Sequence, residues 1–414
     1  QEVGFSAYLN RGVTRAGKVG TLTQSDGSGT NYLLQASGFG VFGYYTDNQY
    51  YSESSKPNFM YNQLVSGPSW NYSPIKYWPN EFGVTAESEG IDRLSFFAYA
   101  PYVEVTPETG IVTDGSKTGI VALTSNTKSG DPYVKYFVDM DPAKRVDLCW
   151  GVAATEYNTT VDGTAEPTVP TGYPFLDLTK PQVGKKVNFN FKHALASLNV
   201  QIDADVDKAT PNEDNSVTAK TKIYVRSVSF EGFATQGMLN LNSDKADWYD
   251  LTGINKIGSS TFTVFDGRRD GKEGQANASA TNEIPSGINE NIIQNSTTTT
   301  GVTNTAVNLF NNSTLEEPVF VIPTTTPLSV TIVYDVETED DNLSGFLSDG
   351  KTHGSTIENK ITKDITWAGT TTCLEAGKQY TVKLHLGMTS VKFEAEVTGW
   401  ANGDTGNAEL PYNK

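Results

Sequence analysis

Long apolar runs are missing from this chain of 414 residues: none comes near the roughly 20 residues that a membrane-spanning helix requires, so no such helix is expected. Cysteine is almost absent. Cys149 and Cys373 are the only two, far apart and without CxxC spacing, which excludes both a zinc-finger cluster and a disulfide framework and predicts buried free thiols. Histidine is as scarce, with three residues, His193, His353 and His385, and none sits in an HExxH-like pattern. GxSxG, Walker and GxGxxG motifs are absent too, so no familiar catalytic or nucleotide-binding signature is present. Positive charge is in deficit. With 31 Lys and Arg against 48 Asp and Glu, the formal charge of -17 repels phosphate backbones and excludes nucleic acid as a partner. The chain opens at Gln1 without a start Met, a basic segment or an apolar leader, which leads us to expect that a targeting segment has been removed.

What is abundant is the material of strands and turns. Hydrophobic residues make up 37% and aromatics 11%, enough for packed cores, and 38 glycines punctuate them. Apolar and polar residues alternate with period two from end to end. Successive side chains of a strand point to opposite faces, so this pattern predicts an all-β protein with one face of each strand packed. Val3, Phe5, Ala7 and Leu9 share one face of a first strand. Gly38 to Tyr45 and Leu94 to Tyr99 are aromatic-rich strands, with Tyr77-Trp78-Pro79-Asn80 as a corner between them. Further on, Ile223 to Phe230 reads as a strand, and Val319 to Ile322 with Leu328 to Val336 reads as a hairpin. The clearest signal is a closing hairpin, Tyr380 to Leu386 followed by Val391 to Val397. Phe189 to Ile202 fits either period and is read as one strand with a bulge near His193.

A length prior of roughly 150 residues per domain suggests two domains here. Pro181 to Gly184 interrupts the pattern and is the expected linker, giving domains 1–183 and 184–414. Residues 271–305, rich in Asn, Thr, Ser and Gly, read as a long surface loop.

Candidate chemistry is sparse. The three histidines are expected to be exposed or hydrogen-bonded rather than catalytic or metal-binding. Asp203, Asp205 and Asp207, and Glu339, Asp340 and Asp341, offer oxygen ligands to calcium in principle, but neither cluster follows an EF-hand spacing and solvated turns account for both. Paired carboxylates for glycoside hydrolysis are not singled out by any spacing. No catalytic residue, cofactor or metal is therefore expected. Tyr44, Tyr45, Tyr50 and Tyr51 are the type of side chain that stacks on sugars, or that lies half-buried at a sheet margin. After the first strand comes Asn10 to Lys18, basic and glycine-bearing, and Arg15-Ala16 within it is a natural cut site for a trypsin-like protease.

Several stretches together resemble the fimbrillin family, the type V pilins of Gram-negative anaerobes. These are Gly38 to Tyr44, Tyr77-Trp78-Pro79, Leu94 to Pro101, Phe191 to Ala196, Val321-Ile322-Pro323, Ala376 to Val382, and Val391 to Trp400, in matching order over nearly the whole chain. The resemblance implies two transthyretin-like β-sandwich domains in tandem, export as an outer-membrane lipoprotein, and a place at the cell surface or in a fimbria. It also implies removal of the first strand by an Arg-specific protease, for which Arg15 and Ala16 match the cleavage site, and assembly with other pilin subunits by strand complementation. The family's stalk subunits donate a C-terminal extension; here Ala408, Leu410 and Tyr412 alternate as donor candidates, but Pro411 lacks the N–H that a full strand needs. That departure points to a tip or accessory subunit. A host or bacterial surface ligand is a further expected partner, and two rival readings stand beside this one: a monomeric surface lipoprotein that binds a glycan or a host protein through its Tyr-rich loops, and, ranked last, a glycoside hydrolase.

Overall fold

The computed structural model describes residues 1–9, 37–67, 69–79, 92–113, 119–138, 147–157, 168–179, 185–204, 221–252, 319–323, 327–345, 353–365, 374–386 and 391–399, with short strand pieces between them. Among these the regular elements are all strands, and the fold is an all-β sandwich arrangement.

The first sheet has seven strands. In spatial order Phe5–Leu9, Val187–His193, Cys149–Ala153, Arg93–Ala100, Phe39–Asp47 and Met60–Val65 lie side by side, and Phe175–Leu178 adds to the flank of Arg93–Ala100. Phe5–Leu9 runs parallel to Val187–His193, whereas the other pairs are antiparallel.

Strands in the middle of this sheet are buried throughout and largely apolar, with Arg93 and Ser95 as buried exceptions, because both faces are covered. All eight residues of Arg93–Ala100 are buried, as are all five of Cys149–Ala153. Period two still sorts their side chains. Leu94, Phe96, Ala98 and Ala100 enter one core with Val3, Phe5, Ala7, Phe39, Phe189 and Phe191. Phe97 and Tyr99 enter a second core with Phe42, Tyr44 and Trp150.

That second core extends into three further sheets. The first is four-stranded, in the order Asp247–Thr252, Gln236–Asn240, Tyr133–Phe137, Ile120–Leu123. In the next, Ala196–Ala204 pairs in parallel with Lys378–Leu386, which pairs with Val391–Gly399. The last runs Phe262–Asp266, Thr221–Glu231, Ser329–Glu339, Gly354–Asp364. The closing hairpin forms as the alternation predicts, with Tyr380 opposite Val397 and Leu384 opposite Phe393, and Tyr380, Val382, Leu384 and Leu386 all buried.

Two local expectations are corrected. Phe189 to Ile202 is not one bulged strand: Val187–His193 belongs to the first sheet and Ala196–Ala204 to another, the chain crossing at Ala194 and Leu195, both fully buried. Nor do Val319–Val321 and Ser329–Glu339 form a hairpin. The former pairs with Ala196 to Leu198 and the latter with Thr221–Glu231 and Gly354–Asp364.

The expected linker, 181–184, lies outside the described residues. Val187–His193, just beyond it, still completes the first sheet, and Tyr133–Phe137 pairs with Gln236–Asn240 across the expected boundary. Within 271–305, Ser296–Thr298 pairs with Gly301–Thr303; the rest of that stretch lies outside the described residues.

Candidate functional site

The N-terminal segment is seated in the first sheet from Gln1 onward. Its backbone is held on two sides. Phe5 stands opposite Val187 and Leu9 opposite Phe191 in the parallel ladder, and the Val187 amide donates to the Gly4 carbonyl at 2.8 Å. On the other side the corner at 76–78 grips the first three residues. The Val3 amide donates to the Lys76 carbonyl at 2.9 Å, the Trp78 amide donates to the Gln1 carbonyl at 2.9 Å, and Glu2 bridges Tyr77. The Tyr72 hydroxyl donates to the Val3 carbonyl at 2.6 Å.

The side chains follow the alternation read from the sequence. Val3, Phe5 and Ala7 are buried, at 0%, 1% and 0% exposure. Ser6 points the other way, where its hydroxyl bonds the Asn188 side chain. Phe5 is the anchor. Its ring meets Tyr72 at 5.4 Å and Phe96 at 5.6 Å edge-on, and stacks on Phe189 at 6.1 Å. Such aromatic contacts add roughly 0.5–1.5 kcal/mol each beyond burial. Gly151, on the next strand but one, is required beneath this cluster: a Cβ there would stand 2.7 Å from the Phe189 ring.

Burial pushes the Tyr72 hydroxyl up to about 12, an effect offset in part by its bond to the Lys76 backbone. The hydroxyl is therefore a neutral donor throughout the physiological range, as its bond to the Val3 carbonyl requires.

Arg15, Ala16, Ala408, Leu410 and Tyr412 lie outside the described residues, as does the side chain of Leu9. Of the tyrosines expected in a binding loop, Tyr44 is fully buried and Tyr51 is partly buried, packed 5.3 Å from Tyr44 with its hydroxyl on Asp131. Tyr45 bonds Asp92. Tyr50 is exposed, with the Arg93 guanidinium 4.3 Å from its ring centre. These rings therefore serve mainly as packing. Of the acidic clusters, Asp340 accepts from the Asn342 amide and side chain in a turn, and Asp205 and Asp207 lie outside the described residues.

One grouping escaped sequence reasoning altogether. Asp147, Cys149 and His193 converge with their ligand atoms within 4.8 Å of one another. Alternation puts Asp147 and Cys149 on one face, and the antiparallel register sets His193 opposite Cys149. His193 Nδ1 bonds Asp147 Oδ2, the Cys149 thiol donates to the same oxygen at 3.3 Å, and Cys149 Sγ lies 3.9 Å from His193 Nδ1. Burial, and then the charge of Asp147, push the Cys149 thiol well above its ordinary range, so it is held as a protonated thiol and not as a nucleophile. The signal in the sequence would have been the register of two strands more than 40 residues apart, which no local pattern encodes.

Neither a protein-family model nor any curated protein matches the chain. Solved structures do. A fimbrial protein from Bacteroides vulgatus ATCC 8482 superposes with a TM-score of 0.55 at 19% identity, covering 96% of this chain and 99% of that one. This shows a shared fold along the whole length. Looser matches include candidate cell adhesion proteins from Bacteroides uniformis ATCC 8492 (TM-score 0.37, 14% identity, 88% and 91% of the two chains) and Bacteroides ovatus ATCC 8483 (0.36, 12%, 98% and 100%).

Proposed function

We propose that this protein is a structural and adhesive subunit of a cell-surface fimbria that polymerises by protease-triggered strand exchange. The observation that carries the reading is the seat of the first strand. Val3, Phe5 and Ala7 fill a core, and the backbone of Phe5–Leu9 completes a ladder at the edge of the first sheet, where a strand can leave and another can take its place. Its burial is worth on the order of 5 kcal/mol, comparable with the whole stability of an ordinary domain, roughly 5–15 kcal/mol. Once cut free, the strand therefore stays until something of the same chemistry replaces it. A neighbouring subunit's strand with apolar residues at alternate positions meets that requirement through the same backbone groups.

In this reading an Arg-specific protease cuts between Arg15 and Ala16, and the subunit accepts a strand in place of residues 3–9. Ala408, Leu410 and Tyr412 are the donor candidates, with Pro411 favouring a tip or accessory position. The shared fold with a fimbrial protein supports a surface role, and export as an outer-membrane lipoprotein belongs to the same proposal. So do two tandem sandwich domains, 1–183 and 184–414, with Val187–His193 reaching back from the second to complete the first sheet. The partners are other pilin subunits, the processing protease, and a host or bacterial surface ligand.

The test is digestion with an Arg-specific protease followed by incubation at high protein concentration. Release of the first fifteen residues accompanied by detergent-resistant oligomers is expected, and the Arg11→Ala, Arg15→Ala double variant should keep its first strand and remain monomeric. A digest that loses those residues, stays monomeric and takes up no added peptide of the Val3–Leu9 sequence in their place would overturn the proposal.

A further inference from the structure

Buried polar atoms without partners are costly, and the first sheet contains one beside three potential metal ligands. Asp147 Oδ1 is buried with no hydrogen-bond partner, while the other oxygen of the same carboxylate takes both the Cys149 thiol and His193 Nδ1. We propose that Asp147, Cys149 and His193 together bind one divalent transition-metal ion of zinc-like softness, a role independent of the fimbrial reading.

Three observations support this. The donor set is one cysteine sulfur, which gives up its proton to solvent as the ion binds, one imidazole nitrogen and one carboxylate, the combination that zinc selects over calcium or magnesium. The spacing is close to what is needed. Tetrahedral ligands bonded at about 2.0–2.3 Å lie roughly 3.3–3.7 Å apart, and Cys149 Sγ stands 3.3 Å from Asp147 Oδ2 and 3.9 Å from His193 Nδ1. The remaining pair, His193 and Asp147, is drawn closer by a hydrogen bond, and opens when an ion takes the place of the proton. Finally, a cation beside this carboxylate compensates the charge on Oδ1 that no donor meets.

Position gives the site a purpose. His193 ends the strand that carries the N-terminal segment, and two residues later the chain passes into another sheet. An ion here ties that end to Cys149–Ala153, and so braces the ladder strand beside the exchangeable segment. His193, with 9% of its side chain exposed against none for Asp147, is the side from which an ion enters.

The test uses the full chain, reduced and stripped of metal, then refolded with Co(II) to remove any barrier to entry. We expect about one equivalent bound, with a thiolate-to-cobalt charge-transfer band in the near ultraviolet. Cys149→Ser should abolish the band, His193→Gln should weaken binding at least about tenfold, and Cys373→Ser should leave both unchanged. Zn(II) should raise the unfolding temperature of the wild type but not of Cys149→Ser. Failure of the wild type to take up Co(II) on refolding, or uptake without the thiolate band, overturns the proposal. So does binding that survives Cys149→Ser. The wild-type measurement decides even if a variant does not fold.

Discussion

Among the strands at sheet edges, two treat the position in opposite ways. The N-terminal segment, with Phe5–Leu9 at one edge of the first sheet, turns Val3, Phe5 and Ala7 into a core, and its first residues are bonded to the 76–78 corner. Gly354–Asp364, at the edge of another sheet, is more than twice as long and offers mostly solvent-facing residues: Ile357, Glu358, Lys360, Thr362, Lys363 and Asp364 are exposed. An unprotected edge invites another chain to pair with it, and charged side chains, lysine above all, are a common defence. The long edge is thus guarded by charge, and the short one is occupied by a piece of the chain whose contribution is packing. Under the proposed strand exchange this division matters, because only the edge that is to be refilled should open.

The largest effect that separates the two edges is truncation of their apolar residues. Phe5→Ala should lower stability by about 3–5 kcal/mol, whereas Ile357→Ala should cost no more than about 0.5 kcal/mol, both read from denaturant unfolding. Equal costs would mean that the first strand is not a packed component. A smaller effect is expected at its backbone clamp. Tyr72→Phe removes the donor to the Val3 carbonyl and leaves that group buried without it, at about 1–2 kcal/mol. The same hydroxyl gives a pH signature. With its folded pKa raised from 10.0 to about 12, Tyr72 favours the folded state fully below pH 10, and that contribution is lost as pH rises from 10 through about 12. An alkaline stability profile should therefore fall less steeply over this window in Tyr72→Phe than in the wild type. Smallest in stability, within about 0.5 kcal/mol, is Lys360→Val with Lys363→Val. Its consequence is expected in light scattering, as self-association through an edge that has lost its charges.

Much of this architecture is written in local alternation. The face of the first strand and the closing hairpin follow from period two, whereas the aromatic strands around Phe42 and Phe96 depart from the one packed face expected of each strand, because alternate residues enter two different cores. What alternation does not encode is which strand finds which. Val319–Val321 and Ser329–Glu339 sit close in sequence with a proline-rich turn between them, as a hairpin would, yet each has its partners elsewhere. Ala194 and Leu195 are apolar and fully buried, so nothing in their chemistry marks the crossing between sheets. The seat of the N-terminal strand was legible for its apolar half alone. The clamp supplied by Tyr72, Lys76 and Trp78 and the meeting of Asp147, Cys149 and His193 depend on long-range register.

The parallel pairing of the first strand has a consequence for the order of events during folding. Phe5 pairs with Val187, and Ser6 meets Asn188 across a sequence separation of 182 residues. A parallel partner so distant is reached only after a long loop has closed, which makes such contacts late to form. The ladder is complete only once the chain as far as Phe191 is available to it. The first strand therefore waits on residues 187–191 for its place in the sheet, and until they arrive the chain carries both an unattached strand and an open place for one.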